Sequence, residues 1–291
     1  MKKILCMILA VMLCVCLFAG CGAKEEAKDD AADAANTPAT TDEPTDADAD
    51  AEAADGDAES DLAAIKDAGK MIIGITNYAP MNYPDDNGEW TGFDTEFAQA
   101  VCAELGVEAE FIEIDWDNKI FEVESKSIDC VWNGMTLTDE VAAGMSCSDP
   151  YVKNAQVLVM NADEIGNYTD IESLKDLSFS AEAGSAGEAA LVDNGIENIT
   201  AVATQADALL EVSSGSTDAC VIDITMANAM TGEGTSYSDL TSGLELTSEV
   251  YVIGFRVGSD VTAEVNAIIA SLKEDGTLDA LAEKYSLTLA D

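Results

Sequence analysis

Met71-Ile72-Ile73-Gly74-Ile75-Thr76 is a short apolar run rich in β-branched residues, the pattern of a strand buried on both faces. Thr95–Leu105 then sets Phe97, Ala98, Val101, Cys102 and Leu105 on one helical face and stops at Gly106. Ala109–Ile114 alternates as a second strand. Two strands joined through a helix form a parallel crossover unit. The same rhythm continues outward. Asp129–Met135, Ala155–Met160, Leu177–Ala181, Thr200–Ala203, Ala219–Ile222 and Val250–Phe255 read as strands. Helices are expected over Gly187–Val192, from Gln205, over Val261–Leu272 and over Leu278–Tyr285, the last two split by Asp275-Gly276. The alternation predicts an α/β protein of mostly parallel sheets with helices on both faces. A folded part of roughly 225 residues suits two modest domains better than one.

Composition narrows the function. The chain has 291 residues, 57 acidic and 13 basic side chains, no histidine and a formal charge of −44. Nucleic-acid binding needs a Lys/Arg footprint, and docking on anionic lipid needs a polybasic patch; neither fits this balance. Without histidine there is no Ser–His or Cys–His nucleophile pair and no imidazole metal ligand. Cys102, Cys130, Cys147 and Cys220 are scattered with no C-x-x-C pair, so a zinc site is not expected; no motif calls for a cofactor. Buried free thiols are the simplest reading of these four, although an exported protein also permits disulfides. Arg256 is the only arginine.

The N-terminus reads as an address. Lys2 and Lys3 precede an apolar run from Ile4 to Ala19, shorter than the roughly 20 residues a spanning helix needs. Leu17-Phe18-Ala19-Gly20-Cys21-Gly22 resembles the lipobox of bacterial lipoproteins. That resemblance implies a signal peptide over 1–20, a lipidated Cys21, and membrane attachment on the extracytoplasmic face through that lipid alone. An ordinary secreted protein or an uncleaved anchor is the other reading. Gly22–Asp61 carries fifteen acidic and two basic residues among Ala and Thr, so 21–61 reads as a disordered, self-repelling tether. Asp46, Asp48, Asp50 and Asp57 imitate a calcium loop, but Ala51 stands where glycine is needed.

Motifs in the folded part then point one way. Tyr78-Ala79-Pro80-Met81-Asn82-Tyr83 is followed by Asn87-Gly88-Glu89-Trp90-Thr91-Gly92-Phe93-Asp94. Ser127-Ile128-Asp129 leads to Asn133-Gly134-Met135-Thr136-Leu137-Thr138, and Cys147-Ser148-Asp149-Pro150-Tyr151 follows. Leu174-Lys175-Asp176-Leu177 precedes Ala183-Gly184-Ser185, Asp218-Ala219 leads to Asp223, and Lys273-Glu274-Asp275-Gly276-Thr277 precedes Lys284-Tyr285. In this order they resemble the extracellular solute-binding proteins of polar amino-acid ABC transporters. The resemblance implies a two-lobed periplasmic-binding-protein-like fold of type II, with two crossover hinge strands and ligand in the cleft. Here the crossings would be Ala155–Met160 and Val250–Phe255. The first lobe would comprise 62–155 and 254–291, and the second 156–253. The implied function is capture of a free amino acid and delivery to a separate ABC permease by a monomer, without catalysis. A ligand sensor without transport is the alternative.

The resemblance also assigns a site. Asp223 would bind the ligand ammonium; since Ile224-Thr225-Met226 could open a helix, it also suits an N-cap. Ser185 and the Ala186 amide, in the turn Gly184-Ser185-Ala186-Gly187, would bind the carboxylate, or simply cap a helix. Tyr78, Met81 and Trp132 would wall the ligand, Tyr78 otherwise packing at a loop edge. Asn133, the Gly134 carbonyl and Thr136 would line the first lobe. The family's Thr-x-x-Arg is Thr138-Asp139-Glu140-Val141 here, so the carboxylate-clamping arginine is missing. Lys119 aligns with a ligand-contacting position and is the candidate replacement; the rival reading is a solvated surface lysine. A ligand with no α-carboxylate would instead make Asp223 and Glu140 a site for a cationic amine.

Overall fold

The computed structural model describes residues 60–291. The signal peptide, Cys21 and the tether up to residue 59 lie outside the described residues, as does the calcium-loop mimic. The tether expected through Asp61 gives way earlier, because Ser60 caps α1 (Asp61–Ala68) by accepting from the Ala63 amide. Asp260 accepts from the Ser60 hydroxyl and the Leu62 amide, and Asp61 pairs with Arg256 at 3.1 Å.

β1 (Lys70–Ile75) continues from α1. A small hairpin of β2 (Tyr83–Pro84) and β3 (Trp90–Thr91) precedes α2 (Phe93–Leu105) and β4 (Glu108–Glu113). α3 (Lys119–Glu124), β5 (Cys130–Thr136), α4 (Asp139–Gly144), β6 (Ser146–Cys147) and β7 (Val152–Asn154) follow. Then come β8 (Gln156–Asn161), α5 (Ile171–Leu174), β9 (Phe179–Glu182), α6 (Ala186–Asp193), β10 (Ile199–Val202), α7 (Gln205–Ser214), β11 (Ala219–Asp223), α8 (Ile224–Met230) and β12 (Leu240–Glu245). β13 (Glu249–Phe255), α9 (Val261–Glu274) and α10 (Thr277–Tyr285) complete the chain.

These strands make two main sheets. The first runs β4-β1-β5-β13-β6, with β7 also on β13; the second runs β10-β9-β11-β8-β12. The parallel arrangement holds for β4-β1-β5 and β10-β9-β11. Beyond them the strands run antiparallel, making both sheets mixed. The reason lies in the connections: β8 and β13 each begin where the chain has just left the other sheet, so they enter running backwards. All of β13 pairs within the first sheet, so the return falls ahead of Glu249. The crossings are thus the links at 154–156 and 245–249, adjoining the two strands expected to make them.

Both sheets are covered on two faces, as their apolar strands require. On the first, α2, α9 and α10 bury Phe93, Phe97, Trp132, Val265 and Leu278, while α3 and α4 cover Val131, Met135 and Val252. On the second, α7 covers Cys220 and Ile222, and α5 and α6 cover Phe179 and Val221. The four cysteines among the described residues are free thiols, three of them buried. Arg256 directly follows β13, donating to the Val123 and Ile128 carbonyls at 3.0 Å each.

α2 starts with a tight approach. Gly92 has φ +121°, and a Cβ there would stand 2.2 Å from the Met81 carbonyl oxygen. The Phe93 and Asp94 amides donate to the Pro80 and Met81 carbonyls at 2.8 and 3.0 Å, so neither backbone can retreat. Gly92→Ala is expected to cost about 2 kcal/mol or more, as strain plus overlap. A lower urea midpoint at unchanged slope would register it.

Candidate functional site

The carboxyl ends of β5, β9 and β11 face one another across a cavity of about 340 Å³ between the sheets. Such strand ends are where α/β sheets hold ligands. Of the residues expected in a site, Lys119, Asn133, Gly134, Thr136, Ser185, Ala186 and Asp223 line it. Tyr78, Met81 and Trp132 do not. All three are buried in the first-sheet core. Trp132 packs edge-on against Phe97, centroids 4.9 Å apart. The Tyr78 hydroxyl bonds Thr225 and Tyr251. β5 is buried on both faces, and Trp132 points to the face that α2 covers.

Asp223 ends β11 and is 4% exposed. It occupies the N-cap position of α8 without making the side-chain cap bond. Its carboxylate instead accepts from the side-chain amides of Asn154, Gln156 and Gln205. Gln205 also accepts from the Asp223 amide at 3.0 Å, clamping the residue from both sides. Asn154 and Gln156 donate as well to Glu249 Oε2, at 3.1 and 3.0 Å, and Thr136 donates to that oxygen at 2.8 Å. Two carboxylates thus share two amides at the cavity floor. Burial, then the neighbouring Glu249, push Asp223 up to about 7.

Lys119 stands opposite. It is 6% exposed, which sets aside the solvated-lysine reading. Its Nζ donates to the Gly184 carbonyl at 2.8 Å and the Trp116 carbonyl at 3.3 Å, and lies 5.1 Å from the Trp116 ring centroid. The first bond joins the two sheets. An ammonium has three donors, so one remains. Burial lowers its pKa, while Glu140, Glu182 and Asp117 pull it back up. Val141 is packed with Trp116, Val123 and Met145, leaving no charge at the arginine's place. Arg256 lies away, against Asp61 and Asp129.

The turn before α6 is built for close approach. Gly184 has φ +67°, and a Cβ would come 2.6 Å from Asp117 Oδ1 of the first lobe. Ser185 caps α6, accepting from the Glu188 amide at 3.1 Å. The Ala186 amide heads the helix, where no intrahelical acceptor exists. On β5, Asp94 Oδ2 accepts from the Gly134 amide at 2.6 Å and the Tyr151 hydroxyl at 3.0 Å, fixing the strand end. Burial raises Asp94 to about 7.

Sequence reading overlooked Gln205, Glu249 and Glu182, all lining the cavity. Glu182 ends β9 beside the Gly184 turn, and a polar residue closing an apolar strand was the available signal. Burial and then Asp223 raise it to about 8, with Lys119 opposing.

The sequence pattern of the bacterial extracellular solute-binding proteins, family 3, matches residues 71–288. The L-cystine-binding protein TcyJ of Escherichia coli K12 is 30% identical over 232 residues, spanning 78% of this chain and 86% of that one. An ABC uptake transporter substrate-binding protein from Streptococcus pneumoniae, solved with bound histidine, superposes with a TM-score of 0.71 at 27% identity, over 78% of this chain and 96% of that one. The ancestral amino acid-binding protein AncCDT-1, a precursor of cyclohexadienyl dehydratase, gives 0.71 at 30% identity, over 78% and 99%.

Three buried carboxyls therefore hold protons that an unfolded chain, with ordinary values near 4, would release. The folded state binds more protons between about pH 4 and 8, so stability falls as pH rises through that window. Thermal unfolding of the ligand-free protein should show a midpoint higher at about pH 5 than at about pH 8. Glu182→Gln, neutral throughout, should flatten the upper part of that decline.

Proposed function

The chain belongs to the bacterial extracellular solute-binding proteins of family 3, and from that we propose that it captures a free amino acid between its two sheets and delivers it to an ABC permease. The observation that carries this reading is the pairing of opposite receptors across one cavity. Asp223, oriented by three amides, faces it from one side, and Lys119 with the head of α6 from the other. A zwitterion leaving water needs an anion for its ammonium and donors for its carboxylate. In this reading Asp223 takes the ammonium, and the free Nζ donor of Lys119, the Ser185 hydroxyl and the Ala186 amide take the carboxylate. Asn133, Gly134 and Thr136 wall the solute from the first lobe. Tyr78, Met81 and Trp132 support those walls from behind.

The solute would then bind both lobes at once. Contacts made only when the cleft is shut shift the open–closed equilibrium toward the shut form. The links at 154–156 and 245–249 are the natural pivots. The relatives named above are binding proteins, which supports capture over catalysis, even though AncCDT-1 is called a precursor of a dehydratase. Among the described residues no helix is long and apolar enough to cross a membrane. The Lys2–Gly22 sequence supports attachment through a lipid on Cys21, with 21–59 as tether; in this reading the protein acts as a monomer. A tether of that kind would raise the effective concentration near the permease.

A panel of amino acids tested by thermal shift should contain strong stabilisers, about 2.7 kcal/mol at a hundredfold excess over Kd. Silence across the whole panel would overturn the reading. Lys119→Met should weaken a stabilising α-amino acid by about tenfold or more in calorimetry, the loss of one charge-assisted bond. Unchanged affinity would remove Lys119 from the carboxylate site.

A further inference from the structure

The cavity holds more acid than one amino acid requires. Asp139, Glu140, Glu182, Asp193, Asp223 and Glu249 line it against a single cation, Lys119. An amino acid with a neutral side chain brings one ammonium and one carboxylate. The Asp223–Glu249 pair on one side, and Lys119 with the head of α6 on the other, already answer both. Glu182 is left over.

Its surroundings set Glu182 apart from a solvated acid. The residue is 2% exposed and its side chain lines the cavity; the Thr76 side chain hydrogen-bonds its carboxyl, but its Oε1 is buried with no hydrogen-bond partner. The charged groups around it are Asp223 on β11, Lys119 at the head of α3 and Asp207 on α7, two acids to one base. Lys119 already has two donors committed to the Trp116 and Gly184 carbonyls. A buried carboxyl oxygen without a donor, beside a second carboxyl, is costly to the fold. A cationic nitrogen entering the cavity would relieve the repulsion from Asp223 and, once the carboxyl turns toward it, satisfy that oxygen.

We infer that Glu182 is a second cation receptor and that the natural solute carries two cationic nitrogens, one met at Asp223 and the other at Glu182. A dibasic amino acid is the class that fits both these receptors and the carboxylate donors. The inference rests on the amino-acid reading above for the carboxylate only; the two cations follow from the acids. Burial keeps Glu182 protonated near neutral pH in the empty protein, so the incoming cation displaces that proton rather than meeting a bare buried charge.

Calorimetry with L-ornithine, L-lysine, L-glutamine and cadaverine separates the possibilities, using the parent protein and Glu182→Gln. The parent should bind ornithine or lysine about ten- to hundredfold more tightly than glutamine, the value of one hydrogen bond to a charged group. Glu182→Gln should erase that preference, weakening ornithine and lysine by far more than it changes glutamine. Glutamine binding as tightly as the dibasic ligands, or a preference that survives Glu182→Gln, overturns the inference and leaves the amino-acid reading standing. Cadaverine binding alone, lost in Glu182→Gln, supports two cations and overturns the amino-acid reading. Silence from all four overturns the two-cation inference, whereas the amino-acid reading falls only if the whole amino-acid panel is silent. The parent's own preference decides the matter if the variant fails to fold.

Discussion

Asp223 and Glu249 draw on the same two side-chain amides, Asn154 and Gln156, and this sharing ties the site to the architecture. Asn154 ends β7, Gln156 begins β8, and Glu249 begins β13. Three of the four partners therefore sit on the two links that pass between the sheets. The cavity floor and the links between the sheets are made of the same residues. Whatever moves one link relative to the other must rearrange donors around a buried acid. Under the proposed function, occupancy of the floor would be coupled to the angle between the sheets through named hydrogen bonds.

The acids also set a conflict between folding and binding. A core that held Leu in place of Asp94, Glu182 and Asp223 would bury the same surface without a desolvation penalty. Asp94 is spent on geometry: it holds the Gly134 amide and the Tyr151 hydroxyl, so the end of β5 is fixed. Asp223 and Glu182 line the cavity although little of either is exposed, and under the proposed function their penalty would be offset when something positive arrives. Stability given up in the empty protein reappears as affinity.

Most of the fold was legible because the strands are short apolar runs between Gly, Pro and Asp breaks. The run at 71–76 became β1, and that at 219–222 became β11, each within a residue or so. Lys119 was found from a gap, since Val141 stands where an arginine is usual. The wall residues misled because β5 is buried on both faces, so alternation carries no information about which side meets the cleft. Trp132 and Tyr78 are large and aromatic, as ligand walls often are, and those properties suit a core equally well. Gln205, Glu182 and Glu249 were missed because polar residues at element ends ordinarily face water; here Glu182 and Glu249 meet groups of the other sheet, and Gln205 is held inside by Asp223. The direction of β8 and β13 was likewise a property of the connections, not of their own sequences.

Arg256 has a mechanical consequence. The only arginine of the chain ties Asp61, Asp129 and the Val123 and Ile128 carbonyls together, while Asp260 grips Ser60 and Leu62. Any pull arriving from the residues before Ser60 meets these bonds first. The force is delivered to α1 and into the first sheet, and the second sheet stays out of the load path. If the protein is held through its N-terminus, as proposed above, tension would load the first sheet and spare the cleft between the two.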